Sequence, residues 1–139
     1  MDLARALDFA AGRRNAVLTT LRADGRPQQS VVFFDAQGDR FTMSVTDDRA
    51  KTKNLRRDPR AALFVAGDDV YTWVAFDGHV ELSPVAVTPD DATVDQLVEY
   101  YRRGVGEHEN WVEFRQTMVD NKRLVATFVA TSATGILPD

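Results

Sequence analysis

The sequence predicts a mainly β protein, an antiparallel barrel of about six strands with peripheral helices. Two observations favour this fold class. Short segments in which apolar and polar residues alternate recur through the chain, and turn sequences rich in glycine, aspartate and proline separate them. Sequential strands joined by tight turns are typical of antiparallel barrels rather than of parallel sheets.

The first elements are a short helix and a hairpin. Residues 2–11 carry leucine and alanine at helical spacing, and Asp2 is placed to cap that helix. Residues 16–22 and 27–35 are predicted strands. They lie on either side of the turn sequence Asp24–Gly25, which is a strong hairpin signal.

The next strand, residues 40–46, alternates apolar and polar side chains, and we expect it to complete a local antiparallel meander with the hairpin. The charged segment 47–58 follows. Its first aspartates are placed to cap a short helix, which must end before the proline that comes next. Residues 61–66 and 70–82 are two further strands, and Gly78 within the second predicts a bulge.

The last third of the chain is predicted to contain two helices and a final strand. Thr88 begins the first helix as its capping residue, with proline and acids in the first turn, and Gly104 ends it. Asn110 and Glu113 have the spacing of a capping box for the second helix. Residues 123–137 close the chain as a long strand.

The composition narrows the classes of function. The 139 residues fit one domain, residues 1–139, and the formal net charge is −4, so the chain as a whole is not built to bind a polyanion. The absence of cysteine excludes disulfides, thiolate metal sites and thiol nucleophiles. No apolar run is long enough to span a bilayer. We therefore expect a cytoplasmic protein without a membrane partner.

A cluster of basic residues is the strongest local signal. Six lysine and arginine side chains fall between residues 49 and 60, at the start of a short helix that directly follows a strand. Free amides and the helix dipole favour an anion there, and Arg49 and Lys51 add charge. Ser44, near the end of the preceding strand, is within plausible reach. The cluster is interpreted either as a phosphate cradle or as a basic helix face in solvent.

Two further pairs are candidate binding residues. Gln28 and Ser30 share one face of a strand, where they would hydrogen-bond the edge of a flavin-like ring or simply face solvent. Tyr71 and Trp73 also share one side of a strand. They would wall a planar ring, seal a dimer interface or pack in the core.

No side chain stands out as a catalytic acid, base or nucleophile, so the catalytic residues remain unassigned. His79 and His108 lack the carboxylate neighbours of a metal site, and no metal is expected. The sequence motifs of hydrolases and of nucleotide-triphosphate enzymes are missing. A cofactor that supplies the chemistry itself would explain why no catalytic side chain stands out.

The order of these segments resembles the pyridoxamine 5′-phosphate oxidase-like split-barrel family, closest to its F420-dependent oxidoreductases from actinobacteria. The most specific matching segment is RAKTKNLRRDPRA, residues 49–61. The hairpin sequence at residues 24–28, the segment TPDDATVDQL from Thr88 and the segment GEHENWVEFRQTMV from Gly106 also match. The resemblance covers nearly the whole chain.

The resemblance implies a homodimer that binds one cofactor in each of two grooves at the dimer interface. Matched by position, eight residues would contact the cofactor. Arg49, Lys51 and Asn54 would hold the phosphate with the help of Ser44, and Gln28 and Ser30 would line the ring pocket. Tyr71 and Trp73, from either protomer, would border the cofactor. In the family the two aromatic residues stand in the opposite order, tryptophan first.

The implied activity is that of an oxidoreductase in which hydride passes from reduced coenzyme F420 to a small unsaturated acceptor. F420 carries more negative charge than FMN, so it suits the larger basic collar formed by the rest of the cluster. This collar comprises Lys53, Arg56, Arg57 and Arg60.

Two alternatives stay open. The first is an FMN-binding oxidase or flavin carrier of the same fold, although the chain stops at Asp139 without the C-terminal extension of the FMN-using oxidases. The second, outside the enzymes, is a nucleic-acid-binding module that uses the basic helix, with Tyr71 and Trp73 as stacking platforms. The net charge of −4 argues against this module.

Overall fold

The computed structural model describes all 139 residues, which form seven strands and four helices. The strands are β1 (Asn15–Leu21), β2 (Pro27–Phe33), β3 (Asp35–Gln37), β4 (Arg40–Thr46), β5 (Arg60–Ala66), β6 (Trp73–Leu82) and β7 (Arg123–Ile136). The helices are α1 (Leu3–Ala11), α2 (Ala50–Arg57), α3 (Ala92–Gly104) and α4 (Trp111–Asp120). None of the helices is long and apolar enough to cross a membrane.

All strands belong to one antiparallel sheet in the order β2-β1-β5-β6-β7-β4-β3. The sheet curls on itself, and β2 meets β4 without forming ladder hydrogen bonds between them. This unpaired seam is the split of a split β-barrel, which confirms the predicted fold class with one strand more than expected. The seam positions the candidate site.

The barrel interior is filled by the apolar faces of the alternating strands. The three apolar residues of β4, Phe41, Met43 and Val45, are all buried, as their period of two requires. Phe41 lies 5.1 Å from Phe34 and 5.3 Å from Phe76 between ring centroids. Edge and tilted contacts of this kind fix the interior more tightly than burial alone.

Several local predictions are confirmed. The carboxylate of Asp2 accepts a hydrogen bond from the amide of Ala4 and so caps α1. The side chain of Asn110 accepts a hydrogen bond from the amide of Glu113 at the start of α4, at 3.1 Å. These capping hydrogen bonds join residues close in sequence, which is why the sequence predicts them well.

The predicted meander is wrong. β4 pairs with β7 along all seven of its residues and has no ladder with β2. The segment after β2 instead forms the short strand β3, which pairs with β4. The 14 residues of β7 provide backbone partners for both β6 and β4. The local alternation of apolar and polar residues gives no indication of a strand partner so distant in sequence.

Two element starts also differ from the sequence-based prediction. β6 begins at Trp73, and Tyr71 lies in the preceding loop, where its amide donates to the carboxylate of Asp69 at 2.8 Å. This turn competes with strand pairing. Helix α3 is capped by Asp91 rather than by Thr88, because one carboxylate serves the amides of Val94, Val87 and Thr88.

The predicted bulge is confirmed, and it generates a test of the fold. The register between β6 and β7 shifts between Asp77 and Gly78, and a Cβ on Gly78 would lie 2.0 Å from the carbonyl oxygen of Val129. We expect Gly78→Ala to lower the free energy of unfolding by about 2 kcal/mol or more, because the ladder must open to admit the methyl group. Chemical denaturation measures this value.

The matched control for this substitution is Gly12→Ala. Its added Cβ would have its nearest neighbour at 3.9 Å. Equal stabilities for the two variants would contradict the close-packed bulge.

Candidate functional site

A groove of about 400 Å³ opens along the seam between β2 and β4. Strands β2, β4 and β7 form its floor, and helices α2, α3 and α4 form its walls. The lining residues are Val31, Val32, Phe33, Ser44, Lys51, Leu97, Tyr100, Tyr101, Phe114, Met118 and Arg123. Apolar side chains dominate the lining, and the two cationic side chains are Lys51 and Arg123. A groove of this size and composition is typical of small-molecule sites.

Helix α3 packs closely on the edge strand β2 and shapes the apolar part of the groove. The Tyr100 hydroxyl donates to the carbonyl oxygen of Phe33 at 2.9 Å, and the two rings meet edge to face at 6.1 Å. Burial raises the pKa of Tyr100 to about 12, so the phenol stays protonated. A Cβ on Gly104 would lie 2.7 Å from the Phe33 ring, so this glycine permits the contact.

An ion pair fixes the end of α3 to the sheet. The Arg103 guanidinium donates to the carboxylate of Asp35 at 2.7 Å, and Asp35 is only 6% exposed. Arg14 approaches the other carboxylate oxygen at 3.9 Å. Asp35 is buried and Arg103 is half-exposed, so removal of the arginine would leave a buried carboxylate with little compensation, and the contact holds the helical wall in position.

The charged end of the groove has no acidic partner. None of Arg49, Lys51 and Arg123 forms an ion pair with an acid of the chain. Burial lowers the pKa of Lys51, and the positive charges of Arg49 and Arg123 lower it further. The groove therefore holds uncompensated positive charge, which an anion would neutralise.

The sequence analysis missed Arg123. It is the first residue of β7, and its Nη1 group approaches the carbonyl and hydroxyl oxygens of Ser44 only at 3.5 and 3.4 Å. Its Nε atom is buried and has no hydrogen-bond partner in the chain. A single arginine at a strand start carries no motif, and only the pairing of β7 with β4 brings it beside Ser44.

The start of α2 differs from the expected acidic cap. The N-cap residue is Arg49, and no side chain caps the helix. Asp47 instead forms an ion pair with Arg56 at 2.7 Å, and Asp48 accepts from Thr46 at 2.8 Å. An N-terminus without a side-chain cap keeps its amides free for an anion.

Half of the predicted basic collar is neutralised within the chain. Arg56 pairs with Asp47, and Arg60 pairs with Asp58 at 2.8 Å. Arg57 donates to the carbonyl oxygen of Leu21 at 3.1 Å. Lys53 is exposed and has no ion pair. Arg57 and Lys53 therefore keep positive charge without an acidic partner, and neither lines the groove.

Asn54 and Gln28 come together beneath α2, outside the groove lining. The Asn54 amide nitrogen donates to Gln28 Oε1 at 2.9 Å and to Thr20 Oγ1 at 3.1 Å, and its oxygen accepts from Arg57 at 2.9 Å. These contacts use all the hydrogen-bonding groups of the Asn54 side chain except one lone pair. The structure therefore gives Asn54 an internal role beside the candidate cradle.

Ser30 lies two residues from Gln28 on the same, inward face of β2, as predicted. From that strand, the outward residues Val31 and Phe33 line the groove together with Val32. Within one chain, Ser44 and Lys51 thus share the groove, whereas Gln28 and Ser30 lie on the opposite face of β2.

The two predicted aromatic residues lie far from the basic helix. Trp73 stacks on Phe64 with 5.4 Å between centroids, and Tyr71 is 74% exposed in the loop before it. Strand β5 begins at Arg60, shortly after the end of α2, and pairs with Trp73 only at its last residue, Ala66. Seven residues of strand separate the two ends by roughly 20 Å. Contact between these aromatics and the groove would have to come from a second copy of the chain.

Comparisons with known proteins place this geometry in a family. The family model described as pyridoxamine 5′-phosphate oxidase matches residues 4–133. The crystal structure of a conserved hypothetical protein from Mycobacterium tuberculosis is similar, with 25% identity and a TM-score of 0.71 over 96% of this chain and 82% of that one.

Two more distant structures share the fold and differ in ligand. An F420 reductase has 22% identity and a TM-score of 0.63, covering 87% of this chain and 89% of its own. The haem storage protein HutZ from Vibrio cholerae has 14% identity and a TM-score of 0.68, covering 97% and 95%. The family model spans nearly the whole chain and agrees with the split barrel. The protein belongs to the pyridoxamine 5′-phosphate oxidase family.

Proposed function

We propose that the protein is an F420-dependent oxidoreductase that reduces a small unsaturated acceptor. The observation that carries the proposal is the composition of the groove, which joins an apolar wall suited to a planar ring to a positively charged end without an internal counter-ion. The family contains oxidoreductases, and an F420 reductase is among the structural neighbours.

The residues of the groove fit a phosphate-bearing deazaflavin. The buried, unpartnered Nε of Arg123 and the unpaired ammonium of Lys51 are donors that oxyanions satisfy. Bound F420 would supply a hydride from its ring. The chain would supply binding through Lys51 and Arg49, and a wall formed by Val31 and Phe33 that orients the ring and excludes water.

A homodimer is part of the proposal. Val31 beside the groove is 76% exposed, and Phe64 and Ile136 on the outer face of the sheet are also exposed. Apolar residues on an outer sheet face are typical of surfaces that a partner covers. A second copy placed there would bring Tyr71 and Trp73 towards a shared groove.

FMN is the alternative cofactor. The ion pairs of Arg56 and Arg60 remove much of the free charge that favoured F420. The positive charge that remains at the groove suits any ligand with one phosphate group. The choice of F420 therefore depends on the similarity to an F420 reductase, together with the unpaired cation of Arg49 at the start of α2.

A fluorescence titration of the purified protein with F420, and in parallel with FMN, tests the cofactor. We expect tighter binding of F420. Tighter binding of FMN would make the protein a flavoprotein of the same fold. Binding of neither cofactor would contradict a deazaflavin or flavin function.

Sedimentation velocity tests the proposed dimer. We expect a species of twice the chain mass, because the exposed outer face of the sheet is then covered. A protein that remains monomeric at micromolar concentration would contradict both the dimer and a groove completed by a second copy.

Lys51 predicts a pH dependence of cofactor binding. Its pKa in the folded chain lies below the ordinary 10.5, so the ammonium loses its proton as pH rises towards that value. An anion binds the protonated form, and we expect affinity to fall across this window. Lys51→Gln should bind at least about tenfold more weakly at neutral pH and lose this dependence.

Two variants serve as controls for Lys51. Lys53→Gln makes the same charge change on an exposed residue of α2 and should alter affinity little. Lys51→Arg should retain affinity to higher pH, because arginine does not deprotonate in this range. Equal losses in Lys51→Gln and Lys53→Gln would remove Lys51 from the site.

A further inference from the structure

Arg123 has an environment that the rest of the chain does not explain. It lies at the start of β7, directly after the turn that ends α4, and opposite Thr46 of β4. The only hydrogen bonds of its side chain are the long contacts with Ser44, at 3.4 and 3.5 Å. Its Nε atom is buried without a partner, and no acid lies within ion-pair distance.

This arrangement costs stability in the free protein. Arg123 is partly buried, and a cation whose Nε atom is removed from water without a partner or counter-charge loses hydration and gains little in return. Arg123 also repels Lys51, because its charge contributes to the lowered pKa of that lysine. Proteins usually pair such a guanidinium with a carboxylate, as this chain does for Arg103 and Asp35. Groups left uncompensated in a groove are typical of ligand sites.

We propose that Arg123 and Lys51 bind the same oxyanion group of the groove ligand, with the Ser44 hydroxyl beside them. This inference deepens the proposed function and rests on it for the identity of the ligand. The ligand group is a phosphate or carboxylate, since a guanidinium and an ammonium on one side of a groove match two negatively charged oxygens. Asn54 makes no contact with this group, because its side chain is engaged with Gln28, Thr20 and Arg57.

A purely structural role for Arg123 predicts different behaviour. In that case the guanidinium would hold β4 to β7 through Ser44, and its removal would destabilise the protein. In our proposal, its removal takes away an uncompensated charge and stabilises the free protein, while ligand binding is lost. Stability and affinity then move in opposite directions, which a structural role does not produce.

The test compares Arg123→Met with wild type in the absence of ligand and then with F420, FMN and inorganic phosphate. Methionine fills a similar volume without charge. We expect a melting temperature a few degrees above wild type without ligand, and an affinity for F420 at least about tenfold weaker. Phosphate should raise the melting temperature of wild type, relative to chloride at equal ionic strength, and leave that of Arg123→Met unchanged.

Lys122→Met is the matched control, because it makes the same charge change at the adjacent exposed residue. It should keep wild-type affinity. Arg123→Lys should recover part of the affinity. The double variant Lys51→Gln/Arg123→Met should lose less than the product of the single losses, since both residues bind one group.

The outcomes separate this inference from the proposed function. A lower melting temperature for Arg123→Met, or unchanged affinity for the ligand that wild type binds, would overturn the inference. Binding of neither F420 nor FMN would overturn the proposed function alone, provided that phosphate still stabilises wild type through Arg123. An Arg123-dependent loss for F420 without any phosphate effect would support the inference and assign the oxyanion to the intact cofactor.

Discussion

The double pairing of β7 organises the molecule. One edge of this strand pairs with β6 and the other with β4, so the sheet continues past β7 and curls until β4 meets β2. β2 and β4 remain without a ladder between them. The seam is therefore a consequence of strand order, and every residue of the candidate groove is positioned relative to it. The bulge at Gly78 allows β6 and β7 to bend together without steric conflict.

The seam would expose apolar side chains if the helices did not cover it. Helix α3 closes one side through Tyr100 and Gly104 against Phe33, and the ion pair between Arg103 and Asp35 fixes its end. The polar groups of α3 that face the sheet are paired, whereas the positive charges of Lys51 on α2 and Arg123 on β7 have no counter-charge. This contrast indicates a site arranged for a ligand rather than a packing defect.

The shared fold does not determine the ligand. An F420 reductase and a haem storage protein both share this fold at low identity, so the fold alone does not assign a ligand to this chain. In this chain the distinction depends on the distribution of charge. Arg56 and Arg60 are neutralised by aspartates, Arg57 hydrogen-bonds neutral groups of the chain, and the cations that line the groove are Lys51 and Arg123. A count of basic residues therefore overstates the charge available to a cofactor.

The sequence by itself determined the local elements. The period of two in β4, the caps at Asp2 and Asn110 and the glycine of the bulge all depend on neighbours close in the chain. It also predicted Lys51 as a candidate binding residue, because a basic cluster after a strand has a local signature. Only the tertiary structure decided that β4 pairs with β7, which brings Arg123 beside Ser44 and Lys51. It also decided which arginines are free, since ion pairing and burial depend on contacts between residues distant in sequence.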